Sequence, residues 1–573
     1  MRQWNFVDDQ TLQEIATLRD DIARFGEGRL SADEWRPRRT LYGLYGQRHK
    51  DRYMLRVRVP QGVLQAEQLE ALGRVAAEHS RGFGYVTTRQ DIQFHFLLLE
   101  HAVPALELLA SAGFTTREAG GNVVRNVTCD PFAGVCRDEV FDVTAYSHAV
   151  SRHFLRNPNA QSLPRKIKIA FSGCAHDHAL TWIHDIGAQA VVRDGKRGFR
   201  VVVGGGLGTV PHLARTLEEF VPDDELVRTC DAVVRVFDRV GDRKKRVRAR
   251  LKFVVMRRGI EEFRELVRQE LASMPPVSSG AYATPDLALE EAAPAYPAAA
   301  AAGRPADGFE LWRTVNVVPQ KQPGCYAVQV ALPAGAVTAE QFAALAGIVR
   351  RFSNGSLRTT IEQNLLLRWV READLVALHG ALIDAGLAQP TAETLLDPVA
   401  CPGTETCMSA ITSGKGLARA IVAEFSQDGY LADPLARAAR IKVSGCPNSC
   451  GQHYAGDIGL YGSAMHVDGR LIPAYQLLVG GGDGGALAEP VMRVAAKRVP
   501  QALRALVDHY RRVRTPGEPL RDYLRRAGPD GVREVLEQYA HLPSFVEDPT
   551  AYVDWETDKL FSLDERGEGE CSV

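Results

Sequence analysis

YMLRVRVPQG at residues 53–62 returns as YAVQVALPAG at 326–335, and each copy runs on into a helix-like stretch, QAEQLEALGRVAAEHS in the first and TAEQFAALAGIVRRFS in the second. Alternating apolar residues followed by apolar residues at three- and four-residue spacing make a strand-helix unit, and a unit met twice is a repeat. Working outward, YVTTRQDIQFHF (85–96) answers LRTTIEQNLLLR (357–368), IAFSGC (169–174) answers IKVSGC (441–446), and FRVVVGGGLG from Phe199 answers YQLLVGGGDG from Tyr475. The offset stays near 272–276 residues throughout. The chain is therefore two homologous halves, each a strand-helix-strand module followed by a larger α/β region.

At 573 residues the chain exceeds one compact core. Hydrophobic residues at 45% and charged residues at 24% place it with soluble globular proteins. Lys+Arg 69 against Asp+Glu 70 leaves a net charge of -1, so no bulk charge draws it to nucleic acid or an anionic membrane. The opening MRQWNFVDDQTL has no apolar leader core, and no run approaches the roughly 18 apolar residues of a spanning helix. A cytoplasmic protein is expected, and ten cysteines in a reducing compartment suggest metal ligands or reactive thiols, not a disulfide framework. Between the halves, PPVSSGAYATPDLALEEAAPAYPAAAAAGRPAD (275–307) reads as a linker. ELVRTCDAVVRVFDRV (225–240) and VMRVAAKRVPQALRALVDHYRRV (491–513) read as amphipathic helices on the outside of the sheets.

Four cysteines of the second half form two close pairs, Cys401 and Cys407 in CPGTETC and Cys446 and Cys450 in CPNSC. Thiolates from two loops suit zinc or an iron-sulfur cluster. Structural zinc usually takes tight C-x2-C knuckles, whereas C-x5-C with C-x3-C fits the larger cluster. Four buried thiols without metal are the plain alternative.

This cysteine pattern in the second of two duplicated halves resembles the siroheme-dependent nitrite/sulfite reductase family, over about residues 41–545. The resemblance implies an α+β fold with two ferredoxin-like half-domains and two siroheme/iron-sulfur α/β domains. It divides the chain into an N-terminal arm (1–50), a first half-domain (51–117), a first siroheme-binding domain without cluster (118–272), the linker (273–308), a second half-domain (309–388), the 4Fe-4S/siroheme domain (389–545) and a tail (546–573). It implies that Cys401, Cys407, Cys446 and Cys450 ligate a 4Fe-4S cluster and that Cys450 also bridges to the siroheme iron. Arg56, Arg125 in VVRNVTC, Lys166 and Lys168 match residues around the substrate anion. Thr88, Arg89, Gln93 and His95 match siroheme contacts, with Arg58 and Asn448 joining them. Siroheme carries eight carboxylates, so burying it demands paired cations and donors.

The residues themselves bear on these roles. In YMLRVRVP the alternation puts Arg56 and Arg58 on one strand face, and RKIKIAF does the same for Lys166 and Lys168. The second half has Gln329 and Ala331 opposite the two arginines, so the cationic face belongs to one copy, as one active site between diverged halves requires. His95 taken alone would be a structural histidine. The first half departs from the cluster pattern: Cys129 and Cys136 stand one residue too far apart, and His178 in CAHDH takes the place of Cys450. These positions read as relics of duplication, a second metal site being the alternative. The first glycine run misses the dinucleotide spacing, no acidic residue is clearly placed about 20 positions on, and the runs read as turns or close approaches. RKKRVRAR (243–250) reads as a solvated helix face.

The resemblance implies six-electron reduction, assimilatory sulfite to hydrogen sulfide in preference to nitrite to ammonia, because nitrite-type members more usually carry Asn where this chain has Lys168. No flavin or nicotinamide site is evident, so an external one-electron donor is expected, ferredoxin or a flavoprotein subunit, with no nucleic acid and no membrane as partner. From a different class, a metal-stabilised module binding RNA or an acidic protein is the alternative.

Overall fold

The computed structural model describes residues 4–290, 294, 303–426, 429–482, 485–567 and 569–570. Cys571 and most of the alanine-rich centre of the linker lie outside the described residues.

The first strand-helix module supplies β1 (Leu44–Gly46), β2 (Tyr53–Val57), β3 (Val63–Gln65), β4 (Phe83–Val86) and β5 (Ile92–Leu97). The first α/β region supplies β6 (Thr128–Cys129), β7 (Ile169–Ser172), β8 (Ile186–Arg193), β9 (Lys196–Val203) and β10 (Arg215–Pro222). The second half repeats the set as β11 (Val317–Pro319), β12 (Cys325–Val330), β13 (Ala336–Thr338), β14 (Ser356–Thr359) and β15 (Leu365–Arg371). It continues with β16 (Val399–Ala400), β17 (Ile441–Ser444), β18 (Ile458–Val467), β19 (Arg470–Val479) and β20 (Glu489–Ala495). Helices and sheets mix throughout, the α+β architecture the repeats imply.

The two ferredoxin-like modules do not stand apart. Their sheets run β1-β2-β5-β4-β13 and β11-β12-β15-β14-β3, so each takes its edge strand from the other half. Ala336 pairs with Tyr85 across one junction and Ser356 with Gln65 across the other. Beneath this exchange one hydrophobic core serves both modules, joining Leu55, Leu72 and Phe94 to Phe342, Leu345 and Leu367. The helices Ala66–His79 and Ala339–Phe352 meet at Gly73, where a Cβ would stand 3.0 Å from the Ala339 carbonyl oxygen. Phe342 is fully buried at this seam, and truncating it to alanine would cost about 3–5 kcal/mol.

Each α/β region keeps its own core and the same mixed sheet, β10-β9-β8-β7-β6 and β16-β17-β18-β19-β20. In both, the long hairpin closes on an Asp-Gly pair, Asp194-Gly195 and Asp468-Gly469, all four residues at positive φ. That two-residue turn matches the strand twist, so identical turn chemistry marks the same point of each half.

Several local expectations change. Residues 489–495 form β20 instead of extending a helix, because their backbone pairs with β19 and Pro500 sets the start of the helix Val499–Val513. RKKRVRAR forms a loop with one short turn, Arg246–Arg248, and not a helix face. The N-terminal arm contains two helices, Asp9–Gly26 and Ala32–Leu41, followed by β1. The start of the linker docks on the first α/β core through Met274, Tyr282 and Leu289. Among the described residues no helix is long and apolar enough to cross a membrane.

Candidate functional site

The two halves are joined by a pair of equivalent glutamines. Gln90 and Gln363 both sit at positive φ in the turn that follows the Thr-Thr pair. The Gln90 amide donates to the Cys129 and Thr359 carbonyls (2.9 and 2.8 Å) and accepts from Cys129 N (2.9 Å). Gln363 donates to the Val86 carbonyl (3.0 Å) and accepts from Ala400 N (2.7 Å). Each glutamine ties its module to the first strand of its own α/β sheet and to the other module. The turn carrying Thr88 and Arg89 is thereby fixed above the loop carrying Cys446 and Cys450.

That contact is direct. Thr88 Oγ1 donates to the Cys450 carbonyl at 2.9 Å, and the Gln452 amide donates to the Thr88 carbonyl at 3.3 Å. Ser449 and Gln452 have positive φ, and a Cβ on Gly451 would stand 2.0 Å from the Val443 carbonyl oxygen. Glycine is thus required beside Cys450, whose residue is left exposed at the loop tip with Asn448.

Cys401, Cys407, Cys446 and Cys450 come together on two loops at the ends of β16 and β17. Gly445 N donates to Cys401 Sγ at 3.1 Å. Burial pushes the Cys401 thiol up to about 11, with Cys450 adding to it, and burial raises Cys446 further, with Cys450, Cys401 and Cys407 all contributing. Four thiols in mutual electrostatic reach are a set that a metal centre must ionise. Among the described residues, no three of these sulfurs lie within 4.8 Å of one another, the spacing one ion would need. Two pairs of thiols on two loops are a donor set that an iron-sulfur cluster can take.

The expected cations gather on the first-half side. Arg56, on β2, and Arg125 converge on the Ala119 carbonyl (3.0 and 2.8 Å) and on Tyr45 Oη (3.4 and 3.1 Å). Arg125 N donates to the Ile167 carbonyl at 2.9 Å, which places Arg125 beside Lys166 and Lys168, the residues flanking Ile167. Gln93, with its amide oxygen facing the guanidinium, accepts from Arg56 Nε and Nη2 at 3.0 and 2.8 Å. Arg89 donates to Thr128 Oγ1 (3.0 Å) and to the Asn126 carbonyl, and burial lowers it to about 10. Lys168 is pushed down to about 7 by burial, with Arg250 and Arg89 repelling its charge and the Cys450 thiolate and Asp185 opposing. A half-buried ammonium lowered first by burial and then by neighbouring cations suits an incoming anion, and its interaction with Cys450 joins the cations to the thiols. Residues of both halves therefore fit a polyanionic macrocycle next to an iron-sulfur cluster.

Two expected contacts have protein partners of their own. Arg58 is 3% exposed and, like Arg56, lies in the field of Asp91; its guanidinium is ion-paired with Glu118 at 3.1 Å and donates to the Arg117 carbonyl. The strand ends at Val57, so the alternation that put both arginines on one face stops before Arg58. His95 is buried, bonded through Nδ1 to the Gln47 amide at 2.9 Å and held neutral by burial, with its buried Nε2 left without a protein partner.

Other residues join the site that the sequence reading did not assign to it. Tyr45 bridges the two arginines. Arg250, the last of the basic run, turns inward and grips buried Asp185 through two bonds (3.0 and 2.6 Å), while Asp185 accepts from Lys168 N at 2.9 Å. Lys415 is 2% exposed, stacks 3.2 Å from the Tyr85 ring centroid, pairs with Glu405 at 3.1 Å and lies in the field of Cys401. The C-terminal segment covers the first cysteine loop: Gly567 N donates to the Met408 carbonyl (3.0 Å), Gly569 N to Ser409 Oγ (2.7 Å), and Glu570 accepts from Arg39 and Gly46 N, both at 2.7 Å.

Comparison with known proteins agrees with this geometry. The model of the nitrite and sulphite reductase 4Fe-4S domain matches residues 120–274 and 391–543, and that of the nitrite/sulfite reductase ferredoxin-like half domain matches 45–112 and 318–385. The chain is 31% identical to the assimilatory ferredoxin-dependent nitrite reductase of Haloferax mediterranei, over 91% of each chain. It is 29% identical to a ferredoxin sulfite reductase of Mycobacterium tuberculosis, over 84% of this chain and 83% of the other. The structure of the Mycobacterium tuberculosis NirA protein superposes with a TM-score of 0.75 at 28% identity, covering 88% of this chain and 92% of that one. Domains matched once in each half leave one conclusion: the chain belongs to the nitrite and sulfite reductase family, an oxidoreductase whose cofactors are siroheme and a 4Fe-4S cluster.

Proposed function

We propose that the protein reduces sulfite to hydrogen sulfide, with Cys401, Cys407, Cys446 and Cys450 as cluster ligands and Cys450 shared with the siroheme iron. When bound, these cofactors supply the electrons, one at a time, and the iron that takes the substrate. Arg56, Arg125, Lys166 and Lys168 hold the anion, while Thr88, Arg89, Gln93 and Asn448 are the proposed siroheme contacts. Tyr45 and the Ala119 carbonyl fix the two guanidiniums, so no reorganisation is needed as charge develops on the substrate oxygens. Lys168, poised at about 7, can release a proton to a departing oxygen and regain it from water at neutral pH.

Lys168 is also the observation that carries the choice of substrate. A second ammonium beside Lys166 favours sulfite, which is larger than nitrite and partly dianionic at neutral pH. The nitrite reductase names of the Haloferax relative and of a 33% identical relative from Synechococcus elongatus favour nitrite as the second reading. Names of both substrate types among the relatives include ferredoxin, which supports ferredoxin as the electron donor. Steady-state kcat/KM for sulfite and nitrite, compared with one common reduced donor, tests the proposal. Sulfite is expected to win; a higher value for nitrite would reverse the assignment.

A further inference from the structure

The first half holds a ligand set that the cofactors do not use. Asp130 Oδ2, Cys174 Sγ and His178 Nδ1 are mutually 3.2, 3.4 and 3.2 Å apart, and the Cys136 thiol lies near enough to that of Cys174 to be lowered by it. Asp130 and Cys174 are buried, and Cys136 and His178 are half-buried. Cys129 is not a member: it is fully buried in the core of the first α/β region. The spare residue in C-x6-C lets Asp130 occupy the place a second cysteine would have taken.

We propose that Asp130, Cys174 and His178 bind one zinc ion, with the neighbouring Cys136 thiol closing in as the fourth ligand of a tetrahedral S2NO site. Bonds of about 2.3 Å to sulfur and 2.0–2.1 Å to nitrogen or oxygen give tetrahedral edges of roughly 3.3–3.6 Å between unlike ligands, close to the three observed separations. A Cys-His-Asp relay is a poorer reading, because a relay uses opposite ring nitrogens, whereas here Nδ1 faces both the thiol and the carboxylate. The three atoms converge on one point. Two thiolates with an imidazole select a borderline-soft ion over magnesium or calcium.

The placement gives the ion a structural task. Residues 130–136 are gripped by the second half through their carbonyls: Arg358 donates to Asp130 O (3.2 Å), Arg368 to Ala133 O (2.7 Å) and Gln322 to Gly134 O (2.8 Å). Zinc would tie this loop to the turn after β7 and so clamp the seam between the halves, at the first-half counterpart of the cluster position.

Metal analysis of the holoenzyme, purified anaerobically without chelators, tests this. Roughly one zinc per chain is expected beside the cofactor iron, and zinc-edge X-ray absorption should show sulfur at about 2.3 Å. The variant Cys174→Ser/His178→Ala should lose at least tenfold of the zinc with iron and acid-labile sulfide unchanged. Cys136→Ser, altering a half-buried ligand, guards against a folding failure and should weaken zinc retention alone. Zinc absent from the wild type, zinc without sulfur ligands, zinc retained in the double variant, or an isolated Cys136–Cys174 disulfide would each overturn the proposal.

Discussion

Replacing Lys168 by asparagine removes one ammonium while keeping a polar side chain, and the structure sets the size of the effect. Lys168 stands among Arg89, Arg250 and the Cys450 loop, with Asp185 already shared between Arg250 and its own backbone N–H. Its charge is therefore not neutralised by a private partner and is available to an incoming anion. Two unit charges at about 4 Å attract by roughly 4 kcal/mol at an effective dielectric of 20. Much of that is offset by the cost of burying the ammonium, leaving about 1–2 kcal/mol. At tenfold per 1.4 kcal/mol, Lys168→Asn should lower kcat/KM for sulfite by about ten- to thirtyfold. Nitrite, a monoanion, should lose about two- to fivefold. Lys166→Asn is the control and should impair both reactions together. The assay is steady-state reduction of each anion with one reduced donor, on variants whose siroheme and iron content match the wild type. Equal losses for both anions in Lys168→Asn would refute the reasoning and remove the basis for preferring sulfite.

Other expectations follow from the same geometry. Lys168 binds an anion only when protonated, so KM for nitrite, whose charge is constant in this range, should rise with pH above about 7; bound carboxylates push the step upward, and Lys168→Arg should abolish it. Glu118→Gln leaves Arg58 buried without its carboxylate and should cost about 3–5 kcal/mol in thermal or denaturant unfolding while cofactor content is kept. Glu570→Ala breaks charged hydrogen bonds to Arg39 and Gly46, worth about 1.5–3 kcal/mol, and should speed oxygen bleaching of the cluster about tenfold or more by freeing the segment over the Cys407 loop. An unchanged bleaching rate would show that the segment shields nothing.

What the sequence disclosed was what repeats or clusters in it. The paired motifs located both modules and both sheets, and the two cysteine pairs pointed to the proposed cluster site, because spacing along the chain survives as proximity in each loop. The strand exchange was invisible: β3 and β13 are three residues long, too short for alternation to show, and their partners lie in the other half. The ion pair of Arg58 was hidden for a related reason, since its partner Glu118 is distant in sequence and nothing in RVRVP announces it. Arg250 hid inside a basic run whose earlier members, such as Arg243 and Lys244, are solvated, and only the buried Asp185 distinguishes it. Lys415 follows an ordinary helix start, and its stacking on Tyr85 depends on the contact between the halves. Asp130 escaped notice because cysteines were compared with cysteines, whereas the fold substitutes a carboxylate one residue on.

The central claim is that one iron-sulfur cluster is held by four second-half thiols, directly against the cationic turn of the first half. Iron and acid-labile sulfide in the Cys450→Ser variant test it most directly, since thiolate is a far better iron ligand than a hydroxyl. The account predicts loss of cluster iron and sulfide together with loss of activity. Full occupancy with unchanged reduction of either anion would contradict it.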